Sequence, residues 1–410
     1  MKKLLFLFFN CLLTLTVYSQ DEEHSIILKL KKSNNLKTKN VDLSSEFNKI
    51  NKNITPSFRE LKIDPNNKLL RLSFPKNISI DSVLTVYKKS GKYEFVEQDY
   101  VGYGSGVQVS PNDNFFDLQY SLKNDGSFNT NFMSEMNIVS VTGADINIEG
   151  LWDYTKGDQE LIVAVIDSGM NMTHEDLQGR FWVNDDEIIG NNIDDDGNGF
   201  IDDVNGWDFI NNDNDPSDDH GHGTNVGSIA MATGNNSFGI SGVNWNSKIM
   251  VVKSLNENNS GSYSAMIESI YYAVDNGARI INFSIGGSGY SESLKDAVNY
   301  CYDNNVVFVA CMMNYDNETT YYPAGFEKVI AVGATDPRDY RASPFNWTFV
   351  DGSSSGSNFG NHIDLVAPGL QIVGASSSSD SGYSYWSGTS QATPLVAGVS
   401  SLLLSVNSTL

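Results

Sequence analysis

Two histidines stand two positions apart in the stretch DDHGHGTNVG, residues 218–227, among carboxylates and glycines. His220 and His222 beside Asp218 and Asp219 are residue types that can ligate a metal ion. Alternatively, one imidazole can act as a general base, because histidine titrates near neutral pH and the glycines leave room for a reacting group. The stretch alone is compatible with both kinds of site.

Two distant segments carry residues that would complete the second kind of site. AVIDSGM ends an apolar run on Asp167, and GTSQATPLVAGV places Ser390 at the start of an apolar helix, where free backbone N–H groups favour negative charge. Each residue taken alone is also compatible with a helix cap. Acyl transfer by serine needs a base that accepts the serine proton and a carboxylate that orients the base. Asp167, His222 and Ser390 together supply these groups.

The elements that must position these residues alternate between strands and helices from residue 111 onward. Short apolar runs predict buried strands at LIVAVIDSG, KIMVVKSL, ARIINFSIGG and NVVFVAC, and helical patterns separate them at YSAMIESIYYAVDNG and SESLKDAVNYCYDN. Such alternation predicts an α/β fold, in which helices cover both faces of a parallel sheet. Ligands of such sheets bind at the carboxyl ends of the strands, where we expect Asp167.

Three segments of the chain resemble the signature segments of the subtilisin-like serine proteases, or subtilases (peptidase family S8): VAVIDSGMNMTHEDL, DDHGHGTNVG and SGTSQATPLVAG. The resemblance runs through nearly all of residues 111–410 and includes INFSIGG, YPAG and DLVAPG. It implies a three-layer subtilisin-like fold and a serine endopeptidase that works through an acyl-enzyme intermediate without a catalytic metal. Carried over, Asp167 orients the base, His222 is the base and Ser390 is the nucleophile. His220 falls outside the motif and is left with a minor role at the approach to the cleft.

The resemblance also places an asparagine after the strand VVFVAC, where its amide helps the backbone N–H of the serine to hold the oxyanion. That residue is Asn314, but the family's small residues and glycine are replaced here by Cys311, Met312 and Met313. A side chain at Met313 either conflicts with a backbone conformation that suits only glycine, or forms a wall of the pocket for the substrate side chain before the scissile bond. The first alternative predicts a catalytically impaired binding protein on the same fold. The second predicts an enzyme with a narrowed pocket, and the intact triad favours it.

The segment FSIGG resembles the edge strand on which subtilases hold an extended substrate. Backbone groups of Ser284 and Gly286 would pair with the main chain of a protein or peptide. An esterase with a similar triad is the other enzyme class to consider, and a strand that grips extended peptides argues against it.

Acidic segments predict structural calcium at two places. DDDGNGFIDDVN has the spacing of an EF-hand loop, with ligands at Asp194, Asp196, Asn198 and Asp202, a turn at Gly199 and a packing residue at Ile201. Asn205 stands where such a loop has its bidentate glutamate, so the affinity should be lower unless Asp203 contributes, and a solvated acidic loop is the alternative. GNNSFGI resembles a subtilase calcium loop, and its side-chain ligands would be Asn236 and Asp176.

The N-terminal part of the chain differs from the rest in charge and pattern. Residues 20–110 carry 15 lysines and arginines against 11 aspartates and glutamates, whereas residues 111–410 carry 10 against 39. Such acidity argues against nucleic acid as a partner.

The N-terminal part is predicted to be a small α+β unit that resembles a subtilase propeptide. Its strands are expected at HSIILKL, KLLRLSF and YEFVEQDYV, and its helices near SSEFNKI and from Asp81. The charge contrast favours its docking on the acidic domain before self-cleavage within residues 101–111, and a permanent accessory domain is the alternative.

Residues 1–19 have the pattern of a secretory signal peptide, with two lysines, an apolar run and small residues before the cleavage site. The apolar run is shorter than the roughly 20 residues of a membrane-spanning helix, so we expect a secreted, extracellular protein without a membrane anchor. Beyond it only Cys301 and Cys311 remain, which predicts two buried thiols rather than a disulfide framework. Subtilases usually continue past the serine helix, so the resemblance also implies a chain truncated at its C-terminal end.

Overall fold

The computed structural model describes residues 23–31, 44–53, 55–64, 67–75, 77–99, 109–348 and 354–410. The chain divides into two compact units, Met1–Gly106 and Val107–Leu410. The predicted signal peptide and most of the predicted cleavage region lie outside the described residues.

The first unit is a small α+β structure whose sheet is antiparallel, with the strand order β2-β3-β1-β4. Its elements are β1 (Glu23–Leu30), α1 (Ser44–Phe47), β2 (Ser57–Asp64), β3 (Asn67–Pro75), α2 (Ile80–Lys89) and β4 (Tyr93–Gln98). Alternate residues of β1, Ile26 and Leu28, are fully buried with Leu72 and Tyr87, as expected for a sheet with one covered face. The predicted elements are present, and β2 is an additional strand.

The second unit is built around a seven-stranded sheet in which every pair of neighbours is parallel, with the order β11-β10-β9-β8-β5-β7-β6. Its elements are α3 (Asn131–Glu135), α4 (Glu149–Trp152), β5 (Ile162–Asp167), β6 (Gly206–Asp208), α5 (His222–Met231), β7 (Lys248–Lys253), α6 (Tyr263–Asp275), β8 (Ile280–Phe283), α7 (Glu292–Asp303), β9 (Val307–Cys311), β10 (Ile330–Thr335), β11 (Leu365–Pro368), β12 (Ile372–Ala375), β13 (Tyr383–Trp386) and α8 (Thr389–Val406). β12 and β13 form a separate antiparallel hairpin. The predicted parallel sheet is therefore confirmed.

Successive residues of the central strands enter two different hydrophobic cores. In β5, Val163 and Val165 pack in the core that contains residues of α5 and α8, whereas Ala164 and Ile166 pack in the core that contains residues of α6 and α7. A strand that is apolar on both faces has this environment, because helices cover the sheet on each side. The result is the three-layer α/β arrangement expected from the sequence.

The carboxyl ends of the central strands carry polar residues in register. Asp167 at the end of β5 lies opposite Lys253 at the end of β7, and Lys253 lies opposite Asp208 at the end of β6. All three are buried. This edge of the sheet collects the residues of the candidate site.

The two cysteines of the second unit are buried and form no disulfide. Among the helices of the described ranges, not one combines the length and apolarity that crossing a membrane would require.

Candidate active site

Asp167 and His222 are in direct contact at the edge of the sheet. The Nδ1 atom of His222 lies 2.7 Å from Oδ1 of Asp167, and the carboxylate is fully buried. The backbone N–H of Ser168 donates to the same Asp167 oxygen at 2.8 Å. Because a carboxylate accepts hydrogen bonds, Nδ1 of His222 must carry the proton, which leaves Nε2 able to accept another.

The first turn of α5 approaches the end of β5 closely, and a glycine makes this possible. A Cβ atom on Gly223 would lie 2.0 Å from the carbonyl oxygen of Gly169 and 3.2 Å from Cβ of Asp167. Gly221, which precedes the helix, has φ of +105°, a conformation that favours glycine. These two glycines let His222 begin the helix next to Asp167.

Asp218 holds the start of α5 in place. Its carboxylate accepts hydrogen bonds from the backbone N–H groups of Gly221 at 2.7 Å and Thr224 at 2.8 Å, and also from the hydroxyl of Thr224. The hydroxyl of Ser168 donates to Asp218 at 2.8 Å and accepts from the N–H of Gly223 at 2.9 Å. Asp218 thus caps the helix and connects it to the residue that follows Asp167.

The charges around His222 favour its protonated form. Burial disfavours the charged ring, but the negative charge of Asp167, its hydrogen bond and the charge of Asp218 outweigh this effect. The pKa of His222 is therefore raised above its ordinary value of 6.5. A histidine in this state can accept a proton and hold it as an imidazolium beside a carboxylate.

Ser390 lies in the first turn of α8 and is 9% exposed. Its hydroxyl is 3.4 Å from the carbonyl oxygen of Ser284, and the hydroxyl of Ser284 donates to the carbonyl oxygen of Ser390 at 3.0 Å. The beginning of α8 is thereby fixed against the segment that follows β8.

Asn314 is oriented by the residue that precedes Ser390. Its Oδ1 atom accepts the backbone N–H of Thr389 at 2.9 Å and the hydroxyl of Thr389 at 3.0 Å. Because the amide oxygen is used in this way, the NH₂ group of Asn314 is the part of the side chain that can donate to another group.

A cavity of about 260 Å³ brings the predicted catalytic and substrate-binding residues together. His222, Ser390, Asn314, Ser284 and Gly286 all line it. Asp167 lies behind His222 and reaches the cavity only through it. The arrangement offers a base, a hydroxyl, an amide donor and a backbone edge in one place, which is the set that acyl transfer needs.

Met313 also lines this cavity, and its backbone adopts φ of +71°. This is the backbone region that favours glycine. Met313 therefore adopts the conformation that the sequence analysis considered unsuitable for a side chain, and its backbone is strained. Cys311, two residues earlier, is buried, and burial raises the pKa of its thiol to about 11. Because the thiolate is the reactive form, Cys311 is a poor nucleophile near neutral pH.

Trp386 is a cavity residue for which the sequence assigned no role. It ends β13 and packs edge to face on His222, with the ring centroids 5.8 Å apart. His220 lies 6.0 Å from Trp386 and 6.3 Å from His222 between ring centroids. Neither histidine belongs to the one metal-type cluster found among the described residues. The stretch 218–227 thus provides one imidazole for the candidate site and one beside it.

Two members of that cluster, Asp194 and Asp196, lie in the predicted EF-hand-like loop, and the third, Glu187, precedes the loop. Oxygen atoms of Glu187, Asp194 and Asp196 lie within 4.8 Å of one another, close enough for three carboxylates to share a cation. The side-chain amide of Asn198 donates to Asp196 at 3.0 Å and to Asp203 at 3.1 Å. Three of the four predicted ligands and the suggested Asp203 are therefore close together.

Asp202, the fourth predicted ligand, is not part of this group. Its carboxylate accepts the backbone N–H groups of Gly190 at 2.7 Å and Asn192 at 2.9 Å. Ile201 is 47% exposed and does not pack as the EF-hand pattern implied. Glu187, which the sequence analysis did not single out, belongs to the carboxylate group.

The second pair of predicted calcium ligands is also adjacent. Asn236 donates its amide to Asp176 at 3.0 Å, and Asp176 also accepts the N–H of Ile240 at 2.8 Å and the hydroxyl of Tyr383 at 2.9 Å. Burial raises the pKa of Asp176, and this effect outweighs the hydrogen bonds, which lower the pKa. Protein donors thus already occupy this carboxylate, as they do the carboxylates around Asp194.

The chain was compared with protein families, known proteins and solved structures. The model of the subtilase family matches residues 158–410. A thermophilic serine proteinase from Bacillus sp. (strain AK1) is 40% identical over 254 residues, which cover 62% of this chain and 54% of that protein. Thermitase from Thermoactinomyces vulgaris is 37% identical over 254 residues, which cover 62% of this chain and 78% of that protein.

Among solved structures, that of a cold adapted subtilisin-like serine proteinase is 31% identical, with a TM-score of 0.47, and covers 61% of this chain and 77% of that one. The matched region spans about half the length of the Bacillus relative, at 54%. The family model covers more than half of the present chain. The chain therefore belongs to the subtilase family.

Proposed function

We propose that this chain is a secreted serine endopeptidase in which Asp167, His222 and Ser390 act together on peptide bonds. The observation that carries the proposal is the 2.7 Å hydrogen bond between His222 and a buried Asp167, with His222 and Ser390 on the wall of one cavity. Membership in a family of serine proteases supports the same reaction class.

In the first half of the reaction, Ser390 forms the new covalent bond. As Oγ attacks the peptide carbonyl carbon, its proton passes to Nε2 of His222, and Asp167 stabilises the imidazolium that results. Since Oγ now lies 3.4 Å from the carbonyl oxygen of Ser284, the side chain must turn toward His222 before attack. Such loose hydrogen bonds are common in active sites without substrate.

The oxyanion that forms needs donors at a fixed position. The NH₂ group of Asn314 and the backbone N–H of Ser390 are the groups available, since the amide oxygen of Asn314 is held by Thr389. His222 then gives its proton to the leaving amine as the C–N bond breaks. Water, deprotonated by His222, attacks the acyl-serine ester. The ester C–O bond then breaks, His222 returns the proton to Oγ of Ser390, and the second product leaves with its new carboxyl group.

The substrate would lie extended along the segment after β8. Backbone groups of Ser284 and Gly286 border the cavity and can pair with the main chain of a peptide. Pairing through the main chain suits a protein or peptide substrate, and suits an esterase substrate poorly.

The test is hydrolysis of a general protein substrate such as casein by the processed chain with calcium present, compared with the Ser390→Ala variant. We expect turnover by the wild type and its loss in the variant, with both chains showing the same circular dichroism spectrum. A folded, processed wild-type chain without turnover would instead support the binding-protein alternative.

We also propose that residues 20–110 are a propeptide that aids folding and inhibits the domain of residues 111–410. The contrast between a basic N-terminal part and an acidic remainder supports docking. Mass spectrometry of the wild type after expression should find a new N-terminus within residues 101–111, and the Ser390→Ala variant should keep the segment. Retention of the segment in an active wild type would favour the accessory-domain alternative.

Two further proposals concern export and calcium. The N-terminal sequence supports removal of residues 1–19 during secretion. The carboxylates of Glu187, Asp194 and Asp196 would bind calcium and cross-link their loop, and Asp176 with Asn236 would be a weaker second site.

A further inference from the structure

Met313 occupies a fixed position at the end of β9. Its φ of +71° turns the chain between Cys311 and Asn314. The N–H of Met312 donates to the carbonyl oxygen of Val332 at 3.0 Å, and the N–H of Asn358 donates to the carbonyl oxygen of Met313 at 3.0 Å. The strained backbone is therefore held by hydrogen bonds on both sides of the residue.

The side chain of Met313 reaches across the cavity to the opposite wall. A Cβ atom placed on Gly286 would lie 2.8 Å from Sδ of Met313 and 3.2 Å from its Cγ. The thiol of Cys311 lies 3.8 Å from the same sulfur. The thioether thus fills the gap between the end of β9 and the segment of Ser284 to Gly286.

This gap is where the residue before the scissile bond must place its side chain. Its carbonyl group has to meet Ser390 and Asn314, and its backbone has to follow residues 284–286, so its side chain points between Gly286 and Met313. Tyr322 exchanges backbone hydrogen bonds with Gly287 at 2.9 and 2.8 Å, and its carbonyl oxygen would lie 3.6 Å from a Cβ atom on Gly286. The whole cavity, about 260 Å³, is below the roughly 300 to 1,000 Å³ of typical ligand pockets.

We infer that Met313 limits cleavage to peptide bonds that follow a small residue, such as glycine, alanine or serine. This inference rests on the proposed function and adds a substrate class to it. A leucine or phenylalanine side chain would have to displace the thioether from Gly286. Methionine side chains are flexible, but the backbone of Met313 is held, and Cys311 and Gly286 leave the sulfur little room to retreat.

The experiment compares kcat/KM for peptide p-nitroanilides that differ only in the residue before the scissile bond: glycine, alanine, leucine or phenylalanine. The wild type should favour alanine over phenylalanine by at least about 10-fold, since one misplaced methylene already costs 10- to 200-fold. Met313→Gly should raise kcat/KM for phenylalanine by at least about 10-fold and reduce or reverse the preference. Met313→Leu, which keeps the bulk, should preserve the ratio between alanine and phenylalanine.

The possible failures are separable from one another. Casein hydrolysis by the wild type with equal turnover of alanine and phenylalanine peptides would overturn the size limit and leave the proposed function standing. Activity that appears only in Met313→Gly would also overturn it, because Met313 would then block all substrates. If neither chain cleaves casein or any peptide, the proposed function itself fails.

Discussion

The hydroxyl of Ser168 donates to the carboxylate of Asp218 at 2.8 Å and connects the end of β5 to the start of α5. Asp167 lies at that end of β5, and His222 lies at that start of α5. The 2.7 Å contact between the two residues therefore depends on a second carboxylate, Asp218, that forms a hydrogen bond with neither of them. Asp218 also adds negative charge near His222 and helps to raise its pKa.

Replacing Asp218 by asparagine should change the pH profile of the reaction. Without this charge the pKa of His222 falls, so the neutral base persists to lower pH and the acid limb of kcat/KM moves to lower pH. Both carboxylate oxygens accept hydrogen bonds, and the amide keeps only one of these acceptors, so kcat should also fall and stability should drop by about 1 to 3 kcal/mol. Asp215→Asn is the matched control, because that exposed residue is nearby in sequence and its carboxylate bonds only to Ser217 among the contacts described. An unchanged acid limb in Asp218→Asn would contradict its positioning and electrostatic role.

Asp167→Asn should have a larger effect. The buried carboxylate is replaced by an amide that no longer stabilises the imidazolium, and turnover should drop roughly 10⁴-fold, as in other serine proteases of this type. The acid limb of the remaining activity should again move to lower pH. Initial rates of peptide hydrolysis between pH 5 and 9 measure the loss of turnover and the shift of the acid limb. A loss of turnover smaller than about 10-fold would argue against a working triad.

The same pair should make stability depend on pH. Since the folded-state pKa of His222 lies above 6.5, the protonated pair stabilises the fold fully below that pH. This contribution is lost as pH rises through the folded-state pKa. Thermal unfolding of Ser390→Ala, which cannot digest itself, should lose more stability between pH 6 and 9 than Ser390→Ala combined with Asp167→Asn. Identical pH dependence in the two chains would show that the pair does not titrate as described.

Asn314→Ala should lower kcat and leave KM nearly unchanged, because the amide donates only to the oxyanion of the intermediate. The loss of one such donor in subtilisin costs about 100- to 1,000-fold in turnover. Thr389→Val removes one of the two donors that orient Asn314 and should give a smaller decrease. A kcat within threefold of the wild type in Asn314→Ala, by steady-state peptide hydrolysis, would remove Asn314 from the oxyanion site.

Calcium removal should distinguish Glu187 from Asp202. Glu187 belongs to the carboxylate group of the acidic loop, whereas Asp202 binds the backbone of residues 190–192. In the Ser390→Ala background, calcium should raise the Tm, and Glu187→Gln should reduce that rise. Asp202→Asn should lower the Tm by a similar amount with and without calcium. The reverse pattern would restore the ligand set expected from the EF-hand spacing.

The central strands could be predicted because their burial on both faces leaves a continuous apolar run. β5, β7, β8 and β9 all lie within the runs identified in the sequence. β2 was missed because its residues SFRELKID are largely charged and carry no such run. Apolar runs therefore predicted the strands of the parallel sheet that positions the site, but not strand β2 of the antiparallel sheet in the first unit.

The site residues divide in a similar way. The residue types of their segments suggest the chemistry of Asp167, His222 and Ser390, and the resemblance to subtilases suggests the role of Asn314. The roles of Asp218 and Trp386 depend on contacts made only in the fold. Asp218 contacts Ser168, 50 positions earlier, and Trp386, at the end of β13, packs on His222. Glu187 lies beside Asp194 and Asp196 because the chain between them folds back, which the spacing of an EF-hand pattern does not describe.

The most direct test of the central claim is labelling by a serine-directed fluorophosphonate followed by peptide mapping. If Asp167, His222 and Ser390 act as one unit, the adduct should form on Ser390 alone, and His222→Ala should abolish it although Ser390 is still present. The folded state of each variant would be verified by circular dichroism. An adduct on another residue, or full labelling of Ser390 without His222, would contradict the account.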